Sequence, residues 1–206
     1  SWAMVPGRTI ALIRLDQFAT GATEGIKDAI TGAKADGATA IILDLRGNPG
    51  GYVTAARDVA SQFIGSGVVF YEQDANGVLT PTEAVPGGVA TDPSIRVVAL
   101  VDGGSASASE IVAGALKDTG RATLVGQTTF GKGTVQQWQE LAGEGGAFRL
   151  TIAKWLTPDK RWIHNIGIEP DITVDVPATV GPGEDPVLAR ALDVVGAEAR
   201  PKLGGP

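Results

Sequence analysis

The 206-residue sequence contains no cysteine and only one histidine, His164. The lack of cysteine excludes disulfide bonds, thiolate metal sites and a cysteine nucleophile. A Ser-His-Asp triad would have to use His164, which lies in the segment RWIHNIG without an acidic neighbour. We therefore interpret His164 as a structural histidine, and a histidine triad stays open as an alternative.

Positive charge is also scarce, because the sequence has 17 Lys and Arg residues and 23 Asp and Glu residues, which gives a net charge of −6. No basic run is present to neutralise phosphates, which argues against nucleic acid as the main partner. No apolar run approaches the roughly 18 residues that a membrane span needs. The first residues, SWAMVPG, lack the basic-then-apolar pattern of a signal peptide and are typical of a cut edge.

The remaining composition, with 43% hydrophobic and 19% charged residues, is that of one globular domain or a domain with a small appendage. Short segments rich in apolar and β-branched residues predict strands at residues 9–15, 38–45, 68–73, 78–82, 95–101, 122–125, 134–141 and 147–155. Amphipathic segments predict helices at residues 23–34, 54–64, 108–119 and 186–195. The strand-helix-strand order predicts an α/β fold with parallel strands, to which an Asn76-Gly77 hairpin and a pair around a GEGG turn add antiparallel strands.

A glycine-rich segment, RGNPGG at residues 46–51, follows one of the predicted buried strands. Ligands of open α/β sheets collect at the carboxyl ends of strands, and Gly50 and Gly51 would let a substrate backbone approach closely. Asn-Pro-Gly-Gly also forms a tight turn unaided. The segment alone therefore does not separate a binding site from a simple turn.

A second glycine-rich turn ends in Ser107, at the predicted start of a helix. The first N–H groups of a helix have no intrahelical partner and carry its positive dipole end, so the N–H of Ala108 would stabilise an oxyanion formed at Ser107. Serine at this position also caps helices without any catalytic role. A general base in reach of Ser107 would favour the catalytic interpretation.

Lys132 is the candidate base, 25 residues after Ser107 and between two glycines. Lysine can act as a general base for serine when burial lowers its pKa, and we expect Phe130 and Val135 to help to bury this amine. Residues 126–132 also match the front of a phosphate-binding loop. Gly133, however, stands where Ser or Thr would bind magnesium, which argues against a nucleotide site.

These motifs, GSASASE, TFGKG and the upstream LDLRGNPGG, resemble those of the tail-specific, or carboxy-terminal processing, serine peptidases. The resemblance implies that Ser107 is the nucleophile, Lys132 the general base and Gln136 the residue that orients the lysine. It also implies an oxyanion hole made by the N–H groups of Gly51 and Ala108, and a reaction without metal or cofactor.

The resemblance covers about residues 9–176 and implies a crotonase- or Clp-protease-like layered βα core with a mixed sheet. We expect the catalytic core at residues 1–176 and a C-terminal extension at residues 177–206 that packs on the core or is frayed. Family members carry an export or anchor segment and a peptide-binding PDZ domain ahead of the core, and neither is recognisable in this chain. The resemblance further implies an extracytoplasmic location, in the periplasm or cell envelope, and leaves an oligomer open.

The expected function is that of a serine endopeptidase that uses a Ser-Lys dyad to cleave protein substrates near their carboxyl terminus. The resemblance implies protein or peptide substrates with apolar or small carboxyl-terminal residues. A catalytically idle peptide-binding module on the same scaffold is the alternative, because one scaffold can host active and inactive members.

Overall fold

The computed structural model describes residues 1–141, 145–177, 179–181 and 183–197. The strands are β1 (Trp2–Met4), β2 (Ile10–Arg14), β3 (Ala40–Asp44), β4 (Val68–Gln73), β5 (Leu79–Glu83), β6 (Arg96–Val101), β7 (Thr123–Gly126), β8 (Thr134–Glu140), β9 (Ala147–Leu156) and β10 (Ile172–Thr173). The helices are α1 (Ala22–Ala35), α2 (Val53–Ala60), α3 (Ala108–Asp118) and α4 (Pro186–Ala197).

The main sheet has six strands in the order β1-β2-β3-β6-β7-β10. Only the β1-β2 pair is antiparallel, and all other neighbours are parallel. All five residues of β3 are buried, as expected for a parallel strand that is covered on both faces. The predicted α/β fold with a mixed sheet is confirmed.

Alternate side chains of the parallel strands enter two separate cores, because successive residues of a strand point to opposite faces. Ile41 and Leu43 pack with α1, α2 and α3, whereas Ala40 and Ile42 pack with α4. The main sheet is therefore the middle of three layers. Within the described ranges, no helix has the length and apolar character needed to cross a membrane.

A second sheet has the order β5-β4-β9-β8, and all its neighbours are antiparallel. The predicted hairpin around Asn76-Gly77 joins β4 to β5. Strand β8 lies at the edge of this sheet and pairs with β9 over its whole length. Residues 143 and 144 of the predicted GEGG turn lie outside the described residues.

Trp2–Met4, among the first residues, form strand β1, which the sequence analysis did not predict. Trp2 pairs with Ile13 of β2, and its ring lies on α1, where a Cβ on Gly32 would be 2.8 Å from the Trp2 Cζ2 atom. Three residues are too few to show an alternating pattern. The pairing is determined by the neighbouring strand, which is why local sequence did not predict strand β1.

Helix α4 belongs to the segment that we predicted to be a C-terminal extension. Its residues Val187, Ala191 and Val195 are buried against the second face of the main sheet. Residues 198–206 of the predicted extension lie outside the described part of the chain. The boundary at residue 176 stays a prediction.

A network of ion pairs connects the carboxyl end of β3 to the start of α4. Asp44, which is buried, accepts hydrogen bonds from Arg46 Nε at 2.9 Å and Arg46 Nη2 at 2.8 Å, and from Arg14 Nη1 at 3.2 Å. Arg46 Nη1 donates to Asp185 at 2.8 Å. The hydrogen bond to Asp44 raises the pKa of Arg46, so this guanidinium stays charged.

Replacement of Arg46 by methionine should destabilise the fold strongly. The change leaves the buried Asp44 carboxylate with a 3.2 Å contact from Arg14 and a 3.1 Å bond from the backbone N–H of residue 46. Since the loss of one partner of a buried ion pair costs about 3–5 kcal/mol and these two contacts remain, we expect a loss of about 2–4 kcal/mol. Urea denaturation measures the loss. The control is Arg57→Met, because the Arg57–Asp58 pair is about one-third exposed and its loss should cost less than about 1 kcal/mol. Equal losses in the two variants would contradict the assignment.

Candidate active site

The two glycine-rich turns of the sequence meet at one edge of the main sheet. Strands β3 and β6 are parallel neighbours with Asp44 opposite Leu100, so the turns that follow them leave the sheet on the same side. The Asp102 carboxylate joins the turns, because its Oδ1 atom accepts the N–H of Gly47 at 2.8 Å and of Gly104 at 2.9 Å.

The three serines of GSASASE have different environments. Ser105 and Ser109 are fully buried, and their hydroxyls donate to the carbonyl oxygens of Leu45 and Asn48, both at 2.8 Å. Ser107 is half-buried. Ser105 and Ser109 therefore fix the RGNPGG turn, and only Ser107 is placed to meet a substrate.

Ser107 has an unusual backbone conformation, with φ 57° and ψ −113°. A positive φ at a residue with a Cβ costs about 1–3 kcal/mol and recurs at functional sites. Gly50 packs directly against this turn, since a Cβ on Gly50 would lie 2.6 Å from the Ala106 oxygen and 2.9 Å from the Ala108 nitrogen. The RGNPGG turn therefore approaches Ser107 as closely as glycine permits.

The two N–H groups predicted to form an oxyanion hole are available for a ligand. In the described part of the chain, neither the Gly51 N–H nor the Ala108 N–H donates a hydrogen bond. The N–H of Ser107 itself is not available, because it donates to Glu110 Oε2 at 2.7 Å. Gly51 has φ 149°, and a Cβ there would lie 2.2 Å from the Phe18 oxygen. Its geometry is thus fixed by contact with the neighbouring backbone.

Glu110 is a residue of the candidate site that the sequence interpretation missed. Its carboxylate is fully buried and accepts four hydrogen bonds. Oε2 accepts the N–H of Ser107 at 2.7 Å and of Lys132 at 2.8 Å, and Oε1 accepts the N–H of Gly131 and the hydroxyl of Thr129, both at 2.6 Å. The spacing of Ser107 and Glu110 is that of a capping box, a signal that could have found this residue.

Two tryptophan side chains fix the Lys132 turn from the other side. Trp155 Nε1 donates to the Lys132 oxygen at 2.8 Å, and Trp162 Nε1 donates to the Gly133 oxygen at 2.8 Å. Lys132 is half-buried. The expectation that Phe130 helps to bury the amine is wrong, because the Phe130 side chain points outwards and is 64% exposed. The backbone of Lys132 is held at both its N–H and its carbonyl.

Gln136 lies on strand β8 beside a β-bulge in the paired strand β9. Val135 pairs with Ala153 and Gln136 pairs with Thr151, so the register shifts by one residue between them. Ile152 of β9 is therefore the extra residue of the bulge and has no partner in this pairing. Val135 packs against the core, and Gln136 lines the adjacent cavity.

Four of the predicted site residues line one cavity of about 550 Å³: Gly51, Ser107, Lys132 and Gln136. Ala108, the fifth, is fully buried at the first position of α3, directly behind Ser107. The structure therefore brings together residues that are up to 85 positions apart in the sequence. Within the described ranges, no group of three or more His, Asp or Glu side chains could hold a metal ion.

His164 lies outside this cavity. Its ring stacks on Trp162 with the ring centroids 5.4 Å apart. The buried Nδ1 atom has no hydrogen-bond partner in the described part of the chain, so no carboxylate orients this imidazole. The geometry does not support the alternative of a histidine triad.

Residues 9–174 match the family model of peptidase family S41. The chain belongs to this family. It is 42% identical over 194 residues to the carboxyl-terminal-processing protease of Synechocystis sp.. The aligned region covers 92% of this chain and 44% of that protein. The solved photosystem II D1 C-terminal processing protease is 32% identical, with a TM-score of 0.74 over 98% of this chain and 51% of that one. The chain thus spans about half the length of these relatives or less.

Replacement of Glu110 by glutamine should impair peptide cleavage more than binding. The amide keeps the size of the side chain but turns an NH₂ group towards N–H donors of the Ser107 or Lys132 turn. We expect kcat to fall about tenfold to a hundredfold with a smaller change in KM, because misplacement by about 1 Å has effects of this size. Steady-state kinetics on a fluorogenic peptide measures both.

The control for Glu110→Gln is Thr129→Val, which removes one donor to Oε1 and the acceptor of the Ile168 N–H, and leaves the bonds to Ser107 and Lys132. Both variants should lose about 1–3 kcal/mol of unfolding free energy, but only Glu110→Gln should show the large decrease in kcat. An unchanged kcat in Glu110→Gln would show that this carboxylate stabilises the fold without positioning the site.

Proposed function

We propose that this chain is the catalytic core of a serine endopeptidase that cleaves protein substrates near their carboxyl terminus with a Ser107-Lys132 dyad. One observation carries the proposal: Ser107, Lys132, Gln136 and Gly51 line a single cavity. The neighbouring Ser105 and Ser109 are buried in structural hydrogen bonds, which leaves Ser107 as the nucleophile.

In the proposed reaction the Lys132 amine takes the proton of the Ser107 hydroxyl while Oγ attacks the scissile carbonyl carbon. The N–H groups of Gly51 and Ala108 hold the oxyanion that forms, and neither donates a hydrogen bond within the described residues. The protonated lysine then gives its proton to the leaving amine. Water, deprotonated by the same lysine, hydrolyses the acyl-enzyme and restores Ser107.

Gln136 has the role of orienting the lysine amine in this proposal. Its side-chain oxygen can accept a hydrogen bond from an amine without adding a negative charge that would hold the proton there. The position of Gln136 supports the assignment, because it lines the same cavity as Ser107 and Lys132.

The wider setting of the enzyme is also proposed, from the resemblance of the motifs and the names of the relatives. We propose a crotonase- or Clp-protease-like architecture, which the three-layer arrangement supports. Substrates would end in apolar or small residues, a PDZ domain would act with this core, and the location would be extracytoplasmic. The name carboxyl-terminal-processing protease, printed for the Synechocystis protein, supports the carboxyl-terminal preference.

Ser107→Ala should abolish peptide cleavage and leave the fold intact, since the loss of its capping hydroxyl at the start of α3 should cost only about 1 kcal/mol. Ser105→Ala is the matched control: it should lose about 1–2 kcal/mol of stability with the bond to Leu45, yet keep cleaving. Mass spectrometry of peptide products and thermal denaturation measure the two effects.

Continued cleavage by Ser107→Ala would contradict the assignment of the nucleophile. The alternative of an idle peptide-binding module predicts another result. In that case the unmodified chain binds peptides in fluorescence anisotropy but yields no products at any pH.

Lys132→Arg should be as inactive as Lys132→Ala, because a guanidinium keeps its charge but cannot accept the serine proton. The control is Lys154→Arg, the same change on the adjacent strand β9, where the amine lies over the Trp162 ring at 4.1 Å and a guanidinium can do the same. Turnover is measured over a range of pH. Near-normal turnover by Lys132→Arg would make the lysine an electrostatic element and exclude it as the general base.

A further inference from the structure

The side chain of Asn48 lies at the centre of the RGNPGG turn, and the mechanism above gives it no task. Asn48 is fully buried, and both of its polar atoms are hydrogen-bonded. Nδ2 donates to the carbonyl oxygen of Leu15 at 2.7 Å, and Oδ1 accepts the N–H of Gly50 at 2.9 Å. One amide therefore joins the turn to the segment that follows β2.

The same two segments meet again at the peptide bond between Gly50 and Gly51. The Phe18 N–H donates to the Gly50 oxygen at 3.0 Å, and the Phe18 oxygen accepts the Tyr52 N–H at 2.8 Å. These bonds form a short parallel bridge between Phe18 and Gly51. The carbonyl of Gly50 is therefore held towards the backbone of Phe18.

The direction of the Gly51 N–H follows from this bridge. In a trans peptide the C=O and the N–H lie in one plane and point in opposite directions. Because the Gly50 carbonyl points towards Phe18, the Gly51 N–H of the same peptide points away from it. A peptide between two glycines rotates with little steric resistance, so its orientation depends on the hydrogen bonds around it.

We propose that Asn48 is a positioning residue of the oxyanion hole, which holds the Gly51 N–H in the direction that meets the oxyanion. This inference rests on the proposed peptidase function. Asn48 acts through two contacts: its bond to Gly50 fixes the turn just before the peptide, and its bond to Leu15 fixes the segment that carries Phe18. An amide suits this task, because it supplies a donor and an acceptor from one uncharged group.

The test compares Asn48→Ala with a matched control, Ser61→Ala. The Ser61 hydroxyl is also buried, donates to the Arg57 oxygen at 2.7 Å and accepts the Val85 N–H at 2.9 Å. Each variant thus loses one donor to a carbonyl and one acceptor of an N–H, and Ser61 does not line the cavity at Ser107. Both should lower the Tm, which thermal denaturation measures, and all assays are run below both Tm values.

Asn48→Ala should lower kcat about tenfold to a hundredfold and change KM by less than about threefold, because the oxyanion forms only in the transition state. Ser61→Ala should keep kcat within about twofold of the unmodified chain, since its bonds lie outside the cavity. An equal decrease in kcat in the two variants would overturn the proposal.

A pair of inhibitors reports on the oxyanion hole directly. Ser107 Oγ adds to the carbon of a peptide aldehyde, the serine proton passes to Lys132, and the former carbonyl oxygen becomes the oxyanion. The corresponding peptide alcohol cannot react in this way. The ratio of the two inhibition constants should fall in Asn48→Ala by about the same factor as kcat. An unchanged ratio would contradict a role in positioning the Gly51 N–H.

Asn48→Asp keeps the size of the side chain and replaces Asn48→Ala in every measurement if the alanine variant does not fold. The introduced carboxyl can accept the Gly50 N–H, but it donates to the Leu15 oxygen only when it is protonated. Its kcat relative to the unmodified chain should therefore be highest at low pH and fall as the pH rises. A low ratio that does not change with pH would contradict the need for this donor.

Hydrogen exchange, followed by NMR, tests the positioning without any turnover. The Phe18 and Tyr52 amides form the bridge, and neither donates to Asn48. Both should exchange about tenfold faster or more in Asn48→Ala than in Ser61→Ala, because only the first variant loosens the bridge. If the unmodified chain cleaves no peptide, the proposed function fails, and these rates still decide whether Asn48 holds the peptide. Equal rates in the two variants overturn the inference even when cleavage is observed.

Discussion

A single buried carboxylate holds the two halves of the candidate site together. Glu110 lies in the first turn of α3 and accepts N–H groups from the Ser107 turn and the Lys132 turn. A buried charge costs several kcal/mol unless hydrogen bonds satisfy it, so the carboxylate and its donors favour one shared arrangement. The positions of the nucleophile and the base are therefore coupled through their backbones, and their side chains remain available for chemistry.

Backbone contacts serve the same purpose around this carboxylate. Asp102 connects the RGNPGG turn to the serine turn, and the buried hydroxyls of Ser105 and Ser109 add two more bonds between them. A polar network in which every group is hydrogen-bonded lowers the free energy of one geometry relative to its alternatives. The strained φ of Ser107 is understandable in this setting, because the surrounding bonds determine the turn more strongly than local preference does.

Much of the fold and of the site follows from local sequence patterns. The strands of the parallel sheet and the helices that cover it have strong apolar periodicity. Ser107 and Lys132 stand at glycine-rich turns, and the motifs around them identify the pair. In the sequence, Glu110 was indicated only by its capping-box spacing to Ser107. Its other hydrogen-bond donors lie in a turn more than 18 residues away.

The alternation of side chains along β8 makes chain length itself a constraint on this segment. Removing one residue from the start of β8 would shift its pairing with β9 and turn every following side chain of β8 to the other face. Gln136 would then point away from Lys132 even though its identity was unchanged. Between the lysine and the glutamine, natural variation should therefore appear as substitutions at constant length, and insertions should be confined to the end of the hairpin, where an added residue leaves the alignment of the two strands intact.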